Sequence, residues 1–153
     1  MGGWWRMYDE GREFLKELQE GDPPTLPRLI EMLEGLKSVY RATPKTDPPD
    51  WFGSAPEKDY QQTYGKLCVR FPEYGYYPVT EPGDPEGTES YLGDSIDDLA
   101  DIVGDISEAI WLYENVNEAE AQWQFRFSYE IHWGIHLAKL LLYLKAGAPR
   151  HPI

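Results

Sequence analysis

His132 and His136 stand four residues apart, a spacing that projects two imidazoles from one face of a helix. Neutral imidazoles so placed can share one divalent ion. The residues between them, Trp133-Gly134-Ile135, exclude the His-Glu-x-x-His pattern of metalloproteases. The third ligand must therefore come from elsewhere, and carboxylates are at hand in Asp97, Asp98, Asp101, Asp105 and Glu108. Asp98 or Asp101 fits that part, and His132, His136 and Asp101 form the candidate metal set. A second Asp would then act as base towards a bound water, as in metal-dependent hydrolysis. The acidic residues also admit two plainer readings: a solvated helix face, or a docking surface for a basic partner. Clustered carboxylates repel, so a cation or an Arg close by would stabilise them.

Arg126 and Glu130 form another pair four apart, roughly 120° around the same helix from the histidines. The surrounding sequence is so apolar that a buried Arg there needs partners; removing one from a buried ion pair costs about 3–5 kcal/mol. Glu130 is one partner, and an Asp of the acidic helix is expected to be another. On this view the polar residues of the last helix pair with carboxylates of the fourth and fix their register, and the cluster comprises Asp97, Asp98, Asp101, Arg126, Glu130, His132 and His136. A separate candidate is the aromatic group Tyr74, Tyr76 and Tyr77. No glycine-rich phosphate loop and no Gly-x-Ser-x-Gly elbow is present. Cys68 reads as apolar filler, with nothing nearby to activate it, and His151 falls in a C-terminal tail.

Five helices are expected to carry these residues. Trp5–Glu20 ends at Gly21-Asp22-Pro23-Pro24. In 26–41, Leu26, Leu29, Leu33, Leu36 and Tyr40 make one stripe, with Thr25 as N-cap and Pro27 in the first turn. The capping-box pattern Ser54-Ala55-Pro56-Glu57 predicts a third helix from there, ending at Pro72. Residues 72–93 make one long irregular connection, with a short extended piece near Tyr77–Thr80. Ser95 opens the fourth helix, whose apolar face holds Ile96, Leu99, Ile102, Val103, Ile106, Ile110 and Tyr113. Asn117 and Glu120 open the fifth, which reads as continuous to about Lys145. It is apolar nearly all round, so it is expected at the centre. The fold class is all-α: an up-and-down bundle of about five helices, with residues 146–153 a tail.

Bulk properties bound the function. A chain of 153 residues suits one domain, and its six Trp and eleven Tyr argue for a packed core rather than disorder. The formal charge of −13 repels phosphate backbones, so nucleic-acid binding is not expected. A single cysteine rules out an internal disulfide and fits a reducing cytoplasm. The apolar stretch Leu140–Leu144 is too short to span a bilayer, no signal peptide is visible, and Arg6 breaks a myristoylation motif.

Two stretches resemble a bacterial family described as domain of unknown function 5063. One is Asp94-Ser95-Ile96-Asp97-Asp98-Leu99-Ala100-Asp101-Ile102. The other joins Trp123-Gln124-Phe125-Arg126-Phe127-Ser128 to His132-Trp133-Gly134-x-His136. The family pattern has Leu, Tyr and Trp where this chain has Ile96, Val103 and Phe125. The resemblance covers about the C-terminal third and implies a small bacterial α-helical protein, with no activity attached.

The reading that follows from charge, aromatic loop and lack of a complete catalytic set is a non-catalytic interaction module for a basic protein. A metal-dependent hydrolase with its ion on the His pair is the alternative, and a small-molecule binding bundle lined by Tyr and Trp is a third. A divalent metal ion is the one cofactor the residues suggest.

Overall fold

The computed structural model describes residues 4–50, 53–79 and 91–147. Four helices run first: α1 Trp4–Gln19, α2 Leu26–Ala42, α3 Tyr60–Arg70 and α4 Ser95–Asn115. The last helical rod is divided into α5 Glu118–Ser128, a π turn Tyr129–Trp133 and α6 Gly134–Lys145. Among the described residues the helices, counted as rods, number five, as expected. Two short strands, β1 Tyr76–Val79 and β2 Tyr91–Asp94, pair antiparallel with Tyr76 opposite Asp94 and Tyr77 opposite Gly93. The extended piece expected after Pro72 is β1; residues 80–90 of the long connection, Thr80 among them, and residues 148–153 of the tail, with His151, lie outside the described residues. None of the described helices is long and apolar enough to cross a membrane.

The helix starts follow local capping. Thr25 accepts from Arg28 N at 3.3 Å, with Pro27 in the first turn, and Asn117 accepts from Glu120 N at 2.8 Å. Two starts depart from expectation. The third helix begins at Tyr60 rather than at Ser54, with Asp59 capping Gln62 N at 3.1 Å. Pro56 disfavours a helical conformation at Ala55, and the following Lys58 reaches across to α4 instead. The cap of α4 is Asp94, which accepts from Ile96 N and Asp97 N; Ser95 is buried and donates to Gly75 O at 2.6 Å.

The core also differs in its centre. One apolar cluster runs from Met7, Phe14 and Leu18 of α1 through Leu29, Leu33 and Leu36 of α2 to Trp133, Leu137 and Leu140. The central element is α4, not the last rod: α4 packs against α1, α3, α5, the π turn and α6. The last rod keeps Phe127, Ile131, Ile135 and Leu142 exposed. Its all-round apolar sequence therefore marks an outer row of apolar side chains rather than burial on every side.

Candidate metal centre

The π turn sets the direction of both histidines. Gly134 N–H donates to the carbonyl of Tyr129, five residues back, which widens the helix by one residue at this point. A Cβ at Gly134 would stand 2.5 Å from that carbonyl oxygen, so only glycine leaves room for the bond. Ser128 Oγ donates to Gln124 O at 2.7 Å and accepts from Trp133 Nε1 at 3.1 Å, which anchors the fully buried Trp133 in the core. With Trp133 so held, the imidazoles of His132 and His136 turn towards α4.

They meet the acidic row there. His132 Nδ1 lies 2.6 Å from Asp105 Oδ2, and His136 Nδ1 lies 2.7 Å from Asp98 Oδ1. The pairing of later with earlier residues shows that α4 and the last rod run antiparallel. Asp101 lies between, with Oδ2 3.0 Å from His136 Nε2 and Oδ1 3.8 Å from His132 Nε2. The rings stand edge to face, 5.0 Å between centroids. Ligand atoms of Asp101, His132 and His136 all lie within 4.8 Å of one another, and the same holds for Asp97, Asp98 and His136.

The acidic row is not a solvated face. The Asp98 and Asp105 side chains are only 4% and 5% exposed. Each has a second partner from another element. Tyr77 OH of β1 donates to Asp98 Oδ2, and Lys58 Nζ donates to Asp105 Oδ1 at 2.8 Å. Tyr60 OH donates to Asp97, Tyr64 OH donates to Asp94 at 2.6 Å, and Gln124 Nε2 donates to Glu108 at 2.7 Å. Tyr77 reaches Asp98 because Gly93, opposite it in the strand pair, has no Cβ; one would lie 2.5 Å from the Tyr77 ring.

Electrostatics follow from this packing. Burial works to lower the pKa of His136, but the hydrogen bond to Asp98 and the charges of Asp101, Asp98 and Asp97 outweigh it, and the net shift is upward. Asp101 is also raised, chiefly by burial, with Asp97 and Asp105 adding and the two imidazoles opposing. Lys58 is raised as well, its burial being outweighed by Asp105 and Glu108.

Other expectations divide. Arg126 is turned away from α4. It donates to the carbonyls of Tyr40 (3.2 Å) and Thr43 (2.6 Å) at the end of α2, lies 3.5 Å from Glu130 and stacks over the Tyr40 ring at 4.6 Å. The anticipated Asp partner is absent because the 120° offset from the histidines points the guanidinium at α2. The aromatic loop is mostly internal too: Tyr74 and Tyr77 are buried, and only Tyr76 is exposed. Lys58 and the carboxylate-capping roles of Tyr60 and Tyr77 were not legible as part of the site. Gly134 was the signal available, a glycine inside a helical pattern between two histidines. A cleft of about 330 Å³ between residues 55–59, α3 and α4 includes Lys58 and Trp111 but neither histidine. The His–Asp cluster opens directly to solvent instead, with His132 44% and His136 21% exposed.

An all-α bundle whose central helix presents carboxylates to a histidine pair is the class defined by this geometry. The chain belongs to the family described as domain of unknown function (DUF5063), whose model matches residues 8–146. The match reaches well beyond the C-terminal motifs into α1 and α2. The crystal structure of protein BF1032 from Bacteroides fragilis is similar, with a TM-score of 0.69 at 18% identity, over 95% of this chain and 92% of that one. At that identity the similarity concerns the fold. No curated protein matches the sequence.

Proposed function

We propose that this protein binds a divalent transition-metal ion through Asp101, His132 and His136 and uses it for metal-assisted hydrolysis. The observation that carries the reading is the backing of the two rings. Each Nδ1 is held by a buried carboxylate, which leaves the Nε2 edges facing Asp101. Metal-ligating histidines are oriented by such carboxylates, which fix the tautomer and strengthen the nitrogen donor. Two imidazoles and one carboxylate suit Zn²⁺, Fe²⁺, Mn²⁺ or Co²⁺ and leave positions open for water and substrate. The Asp97, Asp98 and His136 group is a poorer ligand set, since Asp98 already accepts from Tyr77 and contacts His136. Asp97 suits the part of base: one oxygen accepts from Tyr60, and no donor among the described residues claims the other, which is left to hold a water.

A docking role for a basic protein is the second reading. It keeps the charge of −13 as support. It loses the acidic row as a docking face, because Asp98 and Asp105 are engaged internally, and it loses two of the three loop tyrosines. The small-molecule reading has the α3–α4 cleft, but that cleft presents Trp111 and no tyrosine.

The test is elemental analysis of untagged protein with thermal-shift scans over Zn²⁺, Mn²⁺, Ni²⁺, Fe²⁺ and Ca²⁺, on wild type and on His132→Ala/His136→Ala. Near-stoichiometric metal, lost in the double variant, is the expected result. A wild type that takes up no ion under any of these conditions would sink the proposal.

A further inference from the structure

The two histidines are backed by carboxylates that differ in one respect. Asp98 takes its second hydrogen bond from the neutral hydroxyl of Tyr77, whereas Asp105 takes its own from the ammonium of Lys58, at 2.8 Å. Both carboxylates are buried, so these partners are not diluted by water. Lys58 also lies 3.6 Å from Glu108, and its side chain runs beside Gly104 of α4. A carboxylate strengthens the imidazole it holds in proportion to the negative charge it offers. A cation on its other oxygen draws that charge away and also repels an incoming dication.

We infer that Lys58 is a positioning residue which, acting through Asp105, weakens His132 as a metal ligand and makes the two imidazoles unequal. This rests on the metal reading above. His136, backed by Asp98 and Tyr77, is the anchoring ligand. His132, backed by a carboxylate already paired with Lys58, is the exchangeable one. It is also the more exposed of the two, so its departure opens a coordination position towards solvent, where a substrate arrives. The same lysine holds the α3 approach to α4 by satisfying Asp105. Lys58 therefore acts with opposite signs on two observables, favouring the metal-free fold and disfavouring the metal.

That opposition is the test. Zn²⁺ affinity is measured by competition with a chromophoric chelator, and the metal-free melting temperature in EDTA, for wild type, Lys58→Met, Lys58→Arg and Asp105→Asn. Lys58→Met is expected to bind Zn²⁺ about tenfold tighter, the low end of effects from groups behind a ligand. Its metal-free form melts several degrees lower. Lys58→Arg returns both values towards wild type. Asp105→Asn binds roughly 10–100-fold more weakly, which shows that the carboxylate is the route. If Lys58→Met does not fold, Lys58→Gln is read the same way. Affinity unchanged or reduced in the neutral Lys58 variant overturns the inference while leaving the metal site intact, since a merely structural lysine would lower stability and affinity together. A wild type that takes up none of the ions of the scan above overturns both; where it takes another of them in preference to Zn²⁺, that ion is used in the competition.

Discussion

At the scale of single residues, the molecule uses its charged groups in pairs that cross between elements. Arg126 is the clearest case outside the candidate metal centre. Its guanidinium closes the C-terminal end of α2, where it donates to the carbonyl of Thr43 and joins the Thr43 N–H in donating to that of Tyr40, and it stacks on the Tyr40 ring. Arg126→Ala should lower stability by about 1.5–3 kcal/mol, the usual range for hydrogen bonds to a charged group, read by urea denaturation. Arg126→Lys should recover less than half, because an ammonium lacks the planar fork that meets two carbonyls and a ring together. A loss below about 0.5 kcal/mol in the Ala variant would place Arg126 among ordinary surface residues. The strong dependence expected from the apolar sequence around Arg126 is thus still a prediction, and it now rests on the backbone of α2 rather than on an Asp of α4.

The element that matters most for the candidate site is the π turn. A helix continued regularly through Tyr129–Trp133 would rotate α6 relative to α5 and turn His136 away from Asp98 while Trp133 stayed in the core. Gly134 makes the turn possible, so Gly134→Ala forces either the Tyr129 carbonyl or the Tyr129 ring, 3.0 Å from the added carbon, to move. A loss of about 1–3 kcal/mol is expected, as for other overpacked sites. Metal affinity should fall with it, and the loss of affinity should persist at temperatures where circular dichroism shows the variant folded. An Ala variant that binds metal like wild type would mean that the turn is a packing feature alone. The π turn also accounts for the row Phe127, Ile131, Ile135 and Leu142 on the outside of the rod. With the buried carboxylates claiming one face for histidines and the core claiming Trp133, Leu137 and Leu140, the remaining apolar positions are left towards solvent.

For the whole molecule, the pH dependence of stability carries the sign of its polar cluster. His136 has a folded-state pKa raised above its ordinary 6.5, so its contribution is fully present below that value and is lost as pH rises through the raised one. Asp101 is raised above its ordinary 3.8, so ionising it also disfavours the folded state as pH rises. Both act in the same direction, Asp101 in the acid range upward from 3.8 and His136 upward from 6.5, so the interval from pH 6 to pH 8 reads His136. The metal-free protein should melt at a lower temperature at pH 8 than at pH 6, by calorimetry in EDTA, and the difference should shrink in His136→Ala. Added metal should reverse the trend, since its ligands must be deprotonated to bind. A metal-free melting temperature that rises over this interval would contradict the charge arrangement around His136.

The helical class, the number of rods, most helix starts and the shared face of His132 and His136 could be read from the amino-acid order alone. Those features depend on local chemistry: the stripe of Leu29, Leu33 and Leu36, the caps at Thr25 and Asn117, and the helical spacing of His132 and His136. Only the tertiary structure decided which helix is central, that Asp98 and Asp105 are buried, and that Lys58 and Tyr77 complete their coordination. Helical periodicity says which residues share a face, but not what that face meets. The partners of Asp98 and Asp105 come from positions 21 and 47 residues away, and such pairings are set by how the rods pack and not by any local preference.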